Sequence, residues 1–198
     1  TEIKFSKPVS YKYTDPEKGQ VHQPFEIVED FYTSIADNVY IFEGGNKKNV
    51  EVRVQAMKPG KSGKVQLDLP NGWTSTPAIQ DFTITNKGEE RSFIFEVSPP
   101  TKPMSIDIKP VVEVEGKRYT RELHKIDYNH IPLQMVSMPA SAKFVNLDIQ
   151  KVGNRVAYIE GAGDDVPSSL RQIGYDVTII SPESISLDVL RSYDAVVL

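Results

Sequence analysis

The chain has 198 residues, 39% of them hydrophobic and 25% charged, a composition that folds and excludes a disordered polar tract. Its 23 Lys and Arg stand against 27 Asp and Glu, for a net charge of -4, which excludes the basic face that nucleic-acid binding needs. It holds no cysteine, so disulfides, thiolate metal sites and a cysteine nucleophile are excluded within it, and no apolar run approaches the ~18 residues of a membrane span.

Residues 1–24 read as a lead-in punctuated by Pro8, Asp15-Pro16 and Lys18-Gly19, with an edge strand over 8–13. Strand patterns follow over 25–28 and 39–42, and Glu43-Gly44-Gly45-Asn46 has the composition of a turn. Residues 49–56 alternate strictly. Val50, Val52, Val54 and Ala56 point one way and Glu51, Arg53 and Gln55 the other, which predicts a half-buried strand of a sandwich.

The style continues. Val65, Leu67 and Leu69 alternate, Pro70-Asn71-Gly72 turns, Phe82 and Ile84 mark a short strand, and Asn86-Lys87-Gly88 turns again. Phe93 and Phe95 share one side of a strand over 91–97 that Pro99-Pro100 ends. Residues 104–114 alternate through Ile106 and Ile108, Gly116 marks a hairpin, and 119–126 returns. About seven short strands with turns at intervals of roughly ten residues argue for an antiparallel β-sandwich with an immunoglobulin-like strand count. Residues 131–154 then read as a connection made irregular by Pro132, Pro139 and Gly153, with 142–149 able to add a strand.

The last stretch changes period. Residues 156–159 form a short apolar run, followed by the turn composition Gly161-Ala162-Gly163-Asp164-Asp165. Val166, Leu170 and Ile173 recur at helical spacing, Asp164 or Asp165 is placed to cap, Pro167 is tolerated in the first turn and Gly174 supplies the stop. A second strand over 175–180 ends at Ser181-Pro182, Ser184 or Ser186 caps a short helix carrying Leu187, Val189 and Leu190, and 195–198 is a third strand. This β-α-β-α-β order predicts parallel strands.

The fold class predicted is mainly β: an immunoglobulin-like antiparallel β-sandwich over 1–130, a connecting segment over 131–154, and a truncated parallel α/β unit over 155–198. Three parallel strands with two short helices leave edges unpaired, so the unit is expected to borrow contacts from the sandwich or another chain. The start at Thr1 without methionine and the stop at Leu198 read as an excised or processed piece of a larger protein.

Site candidates are few. Gly161-Ala162-Gly163 resembles part of a phosphate-cradling loop, but it supplies two of three glycines and Asp164-Asp165 repels phosphate, so a tight turn with a capping aspartate is the expectation. His124, Asp127 and His130 have helical spacing in a region that reads as strand, so they are not expected to converge on a metal. Asp15 and Glu17 sit in a turn, where solvated carboxylates are ordinary. Trp73 follows a Pro-Asn-Gly turn and reads as core or edge packing, with sugar stacking the alternative; Phe31-Tyr32 and Tyr11 with Tyr13 are read the same way. Trp73 and Tyr32 are therefore the glycan contacts to test, and no catalytic, cofactor-binding or metal residue is assigned.

Two segments carry a resemblance. Residues 64–100, with Val-Gln-Leu-Asp-Leu-Pro-Asn-Gly-Trp, then Phe82, Gly88-Glu89-Glu90, Phe93-Ile94-Phe95-Glu96-Val97 and Ser98-Pro99-Pro100, resemble bacterial NEW3 domains, immunoglobulin-like modules appended to carbohydrate-active enzymes. Gly161-Ala162-Gly163-Asp164-Asp165-Val166-Pro167 with Leu170-Arg171-Gln172-Ile173-Gly174-Tyr175 resembles the C-terminal region of long LmbE-like (PIG-L) deacetylases typical of Bacteroidetes. Pro8-Val9-Ser10-Tyr11 and Asp15-Pro16-Glu17-Lys18-Gly19 fit the lead-in to that region.

The resemblance implies a zinc-dependent catalytic domain, N-terminal to this region, acting on N-acetylglucosamine-type substrates, and a periplasmic or secreted location. The family's Pro-His-Asp-Asp zinc motif does not occur here, so no catalytic residue carries over and no cofactor is expected in this piece. The closing unit also looks like the start of a glutamine amidotransferase-like domain, without the cysteine nucleophile. Implied partners are a glycan and the missing N-terminal catalytic and C-terminal parts of the same protein. The function expected is a non-catalytic accessory region, with a carbohydrate-binding module or the start of an enzyme domain as alternatives.

Overall fold

The computed structural model describes residues 4, 9–17, 19–128, 130–131, 133–161 and 163–198. Pro8, Lys18, Pro132 and Ala162, which the sequence reading used, lie outside the described residues. The chain is mainly β. Strands β1 (Ser10–Asp15) and β2 (Gly19–Pro24) pair as a hairpin. There follow β3 (Phe31–Ile35), β4 (Val39–Glu43), β5 (Lys48–Ala56), β6 (Lys61–Asp68), β7 (Thr74–Thr76), β8 (Ile79–Ile84), β9 (Glu90–Ser98), β10 (Met104–Val114) and β11 (Lys117–Tyr119). Then come β12 (Arg121–Ile126), β13 (Gln134–Pro139) and β14 (Ala142–Leu147). The last part holds β15 (Arg155–Ile159), α1 (Val166–Gln172), β16 (Asp176–Ile180), α2 (Leu187–Leu190) and β17 (Ala195–Val197).

Two sheets face each other, one ordered β4-β14-β10-β6-β8 with β11 on β10, the other β3-β5-β9-β7. The alternation of residues 50–56 sends Val50, Val52, Val54 and Ala56 inward, where they pack with Phe95 and Val97 of β9 and, from the other sheet, Val65, Ile108, Val112 and Phe144. Each buried valine, isoleucine and phenylalanine among them contributes about 1.5–3 kcal/mol by leaving water, so this shared core is what makes a sandwich of the two sheets. Pairing within them is antiparallel except for β4 with β14, which run parallel. At Gly63 a Cβ would lie 2.5 Å from the Glu113 carbonyl oxygen, so the absent side chain lets β6 lie close on β10.

Three expectations are corrected. Residues 25–28 form no strand, and Phe25 and Ile27 stand exposed; an apolar run becomes a strand only where a partner backbone and a core face await it. The return over 119–126 splits at Thr120, with β11 on the large sheet and β12 in a separate hairpin with β13. The supposed connection over 131–154 holds β13, which the sequence did not mark, and β14, which falls within the 142–149 stretch read as able to add a strand and lies inside the sandwich between β4 and β10. Phe144 is fully buried there, and inward-facing Asn146 is satisfied by donating Nδ2–H bonds to the carbonyls of Pro100 (2.7 Å) and Lys102 (3.0 Å). The sandwich therefore runs on to Leu147.

In the last part β15 lies between β16 and β17 and pairs with each in parallel. Val156, Tyr158 and Val177 form a second, small core with Leu170 of α1. Asp165 is the N-cap of α1 but makes no side-chain capping bond; Asp164 Oδ1 instead accepts from the Val166 N–H (3.1 Å) and the Tyr158 hydroxyl (2.8 Å). Gly174, at φ +86°, turns the chain out of the helix, and Ser186 caps α2 by accepting the Val189 N–H at 3.3 Å.

Candidate functional site

The C-terminus of α1 abuts β4, the end strand of its sheet. An end strand presents unpaired backbone groups, and the Gln172 carboxamide meets two of them. Its Oε1 accepts the Ile41 N–H at 2.9 Å and its Nε2 donates to the Val39 carbonyl at 3.1 Å. Lys48 of β5 donates to the Gln172 main-chain carbonyl at 2.7 Å, where the negative end of a helix favours a cation. Burial pulls the Lys48 ammonium below its ordinary pKa, against the charge of Glu43.

This junction borders a cleft of about 430 Å3 lined by Tyr40, Lys47, Asn49, Ser168 and Arg171 among others. Its cations are engaged: Lys47 pairs with Glu96 at 2.8 Å, and Arg171 donates to the Val177 carbonyl at 3.0 Å. Burial pushes the Tyr40 phenol up to about 12, so it stays protonated at neutral pH. The bonds of Gln172 and Lys48 run from the end of α1 to β4 and β5.

The residues singled out as glycan contacts are enclosed. Trp73 is 4% exposed, its ring 4.8 Å from that of Phe42 and 5.5 Å from that of Phe144, with Nε1 donating to Met104 Sδ at 3.4 Å. Tyr32 is 3% exposed and its hydroxyl accepts the Glu29 N–H at 3.0 Å. Neither ring offers an exposed face, as the packing alternative for both has it: the core claims Trp73, and β12 lies over β3 where Tyr32 sits.

The other candidates have local partners. His124 Nε2 lies 2.9 Å from Glu122 Oε1, Asp127 pairs with Lys125 at 2.8 Å, and His130 stacks on Tyr128. Among the described residues no group of three or more His, Asp or Glu is placed to hold a metal. Asp15 Oδ1 accepts the Glu17 N–H at 2.9 Å, a turn bond. Past β15, the Asp164 carboxylate accepts the Val166 N–H and the Tyr158 hydroxyl.

A pocket the sequence reading did not single out lies between the β1–β2 hairpin and the loop after β12, with a volume of about 590 Å3. The register pairs Tyr11 with Gln23 and Tyr13 with Val21, so these four side chains share one face of the hairpin. Tyr11 and Tyr13 stack at 5.7 Å with 24° between ring planes, and across the pocket Tyr128 and His130 stack at 5.8 Å and 27°. All three tyrosines are open to solvent, at 65%, 39% and 62% for Tyr11, Tyr13 and Tyr128.

No family model and no curated protein matches the chain. Among solved structures it is similar to the native conformation of E. coli alpha-2-macroglobulin, at 9% identity and a TM-score of 0.36 over 66% of this chain. The chain spans 7% of the length of that protein. It is also similar to the Reelin-N domain of F-spondin, at 11% identity and a TM-score of 0.33, over 61% of this chain and 88% of that one.

The alternation of Tyr11 and Tyr13 in a strand-like stretch was the available sign of the pocket. Tyr128 carried none, because its approach to the hairpin is set by tertiary placement. No helix among the described residues is long and apolar enough to cross a membrane.

Proposed function

We propose that this chain is a non-catalytic accessory region that fixes the relative position of the parts it joins. The observation that carries this is the clasp of Gln172 on β4, reinforced by Lys48, which ties the parallel three-stranded sheet to the sandwich through bonds of fixed direction. Bonds of this kind order two bodies more than they stabilise either one. On this reading the sandwich is an immunoglobulin-like module of the NEW3 kind and the last part is the opening of an amidotransferase-like α/β domain. The protein as a whole is then a long LmbE-like deacetylase, periplasmic or secreted, whose zinc and turnover belong to residues outside this chain.

The absence of cysteine allows a clean test. Spin labels on Lys87→Cys and Asp188→Cys, both exposed positions, are read by pulsed electron resonance. A narrow distance distribution that broadens in Gln172→Ala supports positioning. A broad distribution in the parent protein, or turnover of N-acetylated oligosaccharide by this chain alone, overturns it.

A further inference from the structure

Met104 joins the solvent to the core, and we infer that it is a reversible modification site for hydroperoxides, read out by the buried Trp73. The chain has no cysteine, so its sulfur chemistry rests on the thioethers of Met57, Met104, Met135 and Met138. A peroxide must reach a thioether to oxidise it. Met57 and Met135 are half-buried, whereas Met104 is 39% exposed and Met138 47%. Two sites are therefore open to attack, and of these Met104 is the one bonded to a core side chain.

Met104 opens β10 opposite Asn146 of β14, at the end of the sandwich where Trp73 lies against Phe42 and Phe144. Thr101, Lys102 and Pro103 before it and Ser105 after it are exposed. A cleft of about 410 Å3, bounded by Pro100, Thr101, Pro103 and Asn146 among others, brings solvent to this corner. A buried indole N–H needs an acceptor, and Trp73 Nε1 finds Met104 Sδ at 3.4 Å. Thioether sulfur accepts only weakly. The one tryptophan of the chain thus rests its polar atom on an oxidisable partner.

The step balances with a hydroperoxide as co-reactant. A sulfur lone pair attacks one peroxide oxygen, the S–O bond forms as the O–O bond breaks, and the proton on the transferred oxygen passes to the leaving oxygen. Sulfur is oxidised to the sulfoxide, and the peroxide is reduced to water or an alcohol. The new oxygen is a better acceptor than the sulfur, and N–H···O bonds close to about 2.9 Å. The indole N–H should therefore pass from sulfur to the sulfoxide oxygen. The exposed Met104 side chain shifts to make room, and Trp73 stays in the core. A fully buried methionine would instead carry that oxygen among apolar groups and break their packing. The site is independent of the clasp at Gln172, and the positioning reading stands or falls on its own distance measurement.

The test treats the whole chain with hydrogen peroxide, following each methionine by peptide mass mapping and the single indole N–H by nuclear magnetic resonance. Met104 and Met138 should gain oxygen ahead of Met57 and Met135. As Met104 converts, the indole N–H signal should move downfield and exchange with solvent more slowly, at unchanged strand content by circular dichroism. Met138→Leu should show the same shift on peroxide treatment. Met104→Leu, which keeps the volume and loses the sulfur, should show none. The two methionine sulfoxide reductases, one for each epimer, should return the signal to its starting position. Met104 left intact while Met57 or Met135 converts, an indole signal that ignores Met104 oxidation, the same shift in Met104→Leu, unfolding on oxidation, or a sulfoxide that the reductases leave in place would each overturn the assignment.

Discussion

The side chain of Gln172 completes the edge of β4 at Ile41: its Oε1 accepts the Ile41 N–H at 2.9 Å while its Nε2 reaches the Val39 carbonyl at 3.1 Å. One carboxamide thus imitates the donor and acceptor of a neighbouring strand. Each bond is worth about 0.5–1.5 kcal/mol net, so Gln172→Ala should lower the coupling between the sandwich and the last part by about 1–3 kcal/mol. In urea the parent should unfold in one transition by circular dichroism, and the variant should show an earlier phase belonging to residues 155–198.

Trp73 fills the core beside Phe42 and Phe144, so its removal acts on stability and not on ligand recognition. Trp73→Ala should cost about 3–5 kcal/mol, the usual range for emptying a buried large aromatic site. Chemical denaturation measures this directly. A variant as stable as the parent would place the ring outside the core.

Thr33 is buried, and its Oγ1 has no hydrogen-bond partner among the described residues. An unpaired buried hydroxyl costs about 1–3 kcal/mol, and valine has nearly the same shape with good strand propensity. Thr33→Val should therefore raise stability by about 1 kcal/mol. A loss in urea titration would reveal a partner that the hydroxyl meets in solution.

Asp194 sets an acid limit on the last part. Its Oδ2 accepts the N–H groups of Asn154 (2.7 Å) and Arg155 (2.8 Å), and these two bonds, helped by the Arg155 charge, hold its carboxyl below the ordinary aspartate value. A carboxyl depressed by folding stabilises above its unfolded pKa of about 3.9, and the contribution is lost as pH falls through the lower folded value. The Asn154 and Arg155 amide resonances should report fraying in that window. Asp194→Asn keeps an oxygen acceptor but no titrating charge, so it should remove that pH dependence.

How far the fold could be read depended on what each strand buries. In β5 every inward position is a small or branched apolar residue, so period-two alternation announces it. In β14 the inward set is Ala142, Phe144 and Asn146, one of them polar and satisfied only by the distant carbonyls of Pro100 and Lys102, so the pattern showed a possible strand and not its place inside the sandwich. Phe25 and Ile27 made the opposite error, apolar residues with no core to enter. The tyrosines show the same limit at the site. Tyr32 and Tyr13 both lie in strand-like sequence, yet one is covered by β12 and the other faces a pocket, a difference created by where a hairpin over 100 residues along the chain from Tyr13 comes to rest. Gln172 gave no signal, because a polar residue in the last turn of a helix is ordinary until the edge it meets is known.

The most direct test of the clasp is amide hydrogen exchange at 156–159 of β15, with 50–54 of β5 as internal reference, in the parent and in Gln172→Ala. Loss of the carboxamide should speed exchange at 156–159 by about ten-fold or more, the equivalent of 1.4 kcal/mol, and leave 50–54 unchanged. Equal protection of 156–159 in both proteins would mean that the last part holds itself together, and the positioning role assigned to Gln172 would be contradicted.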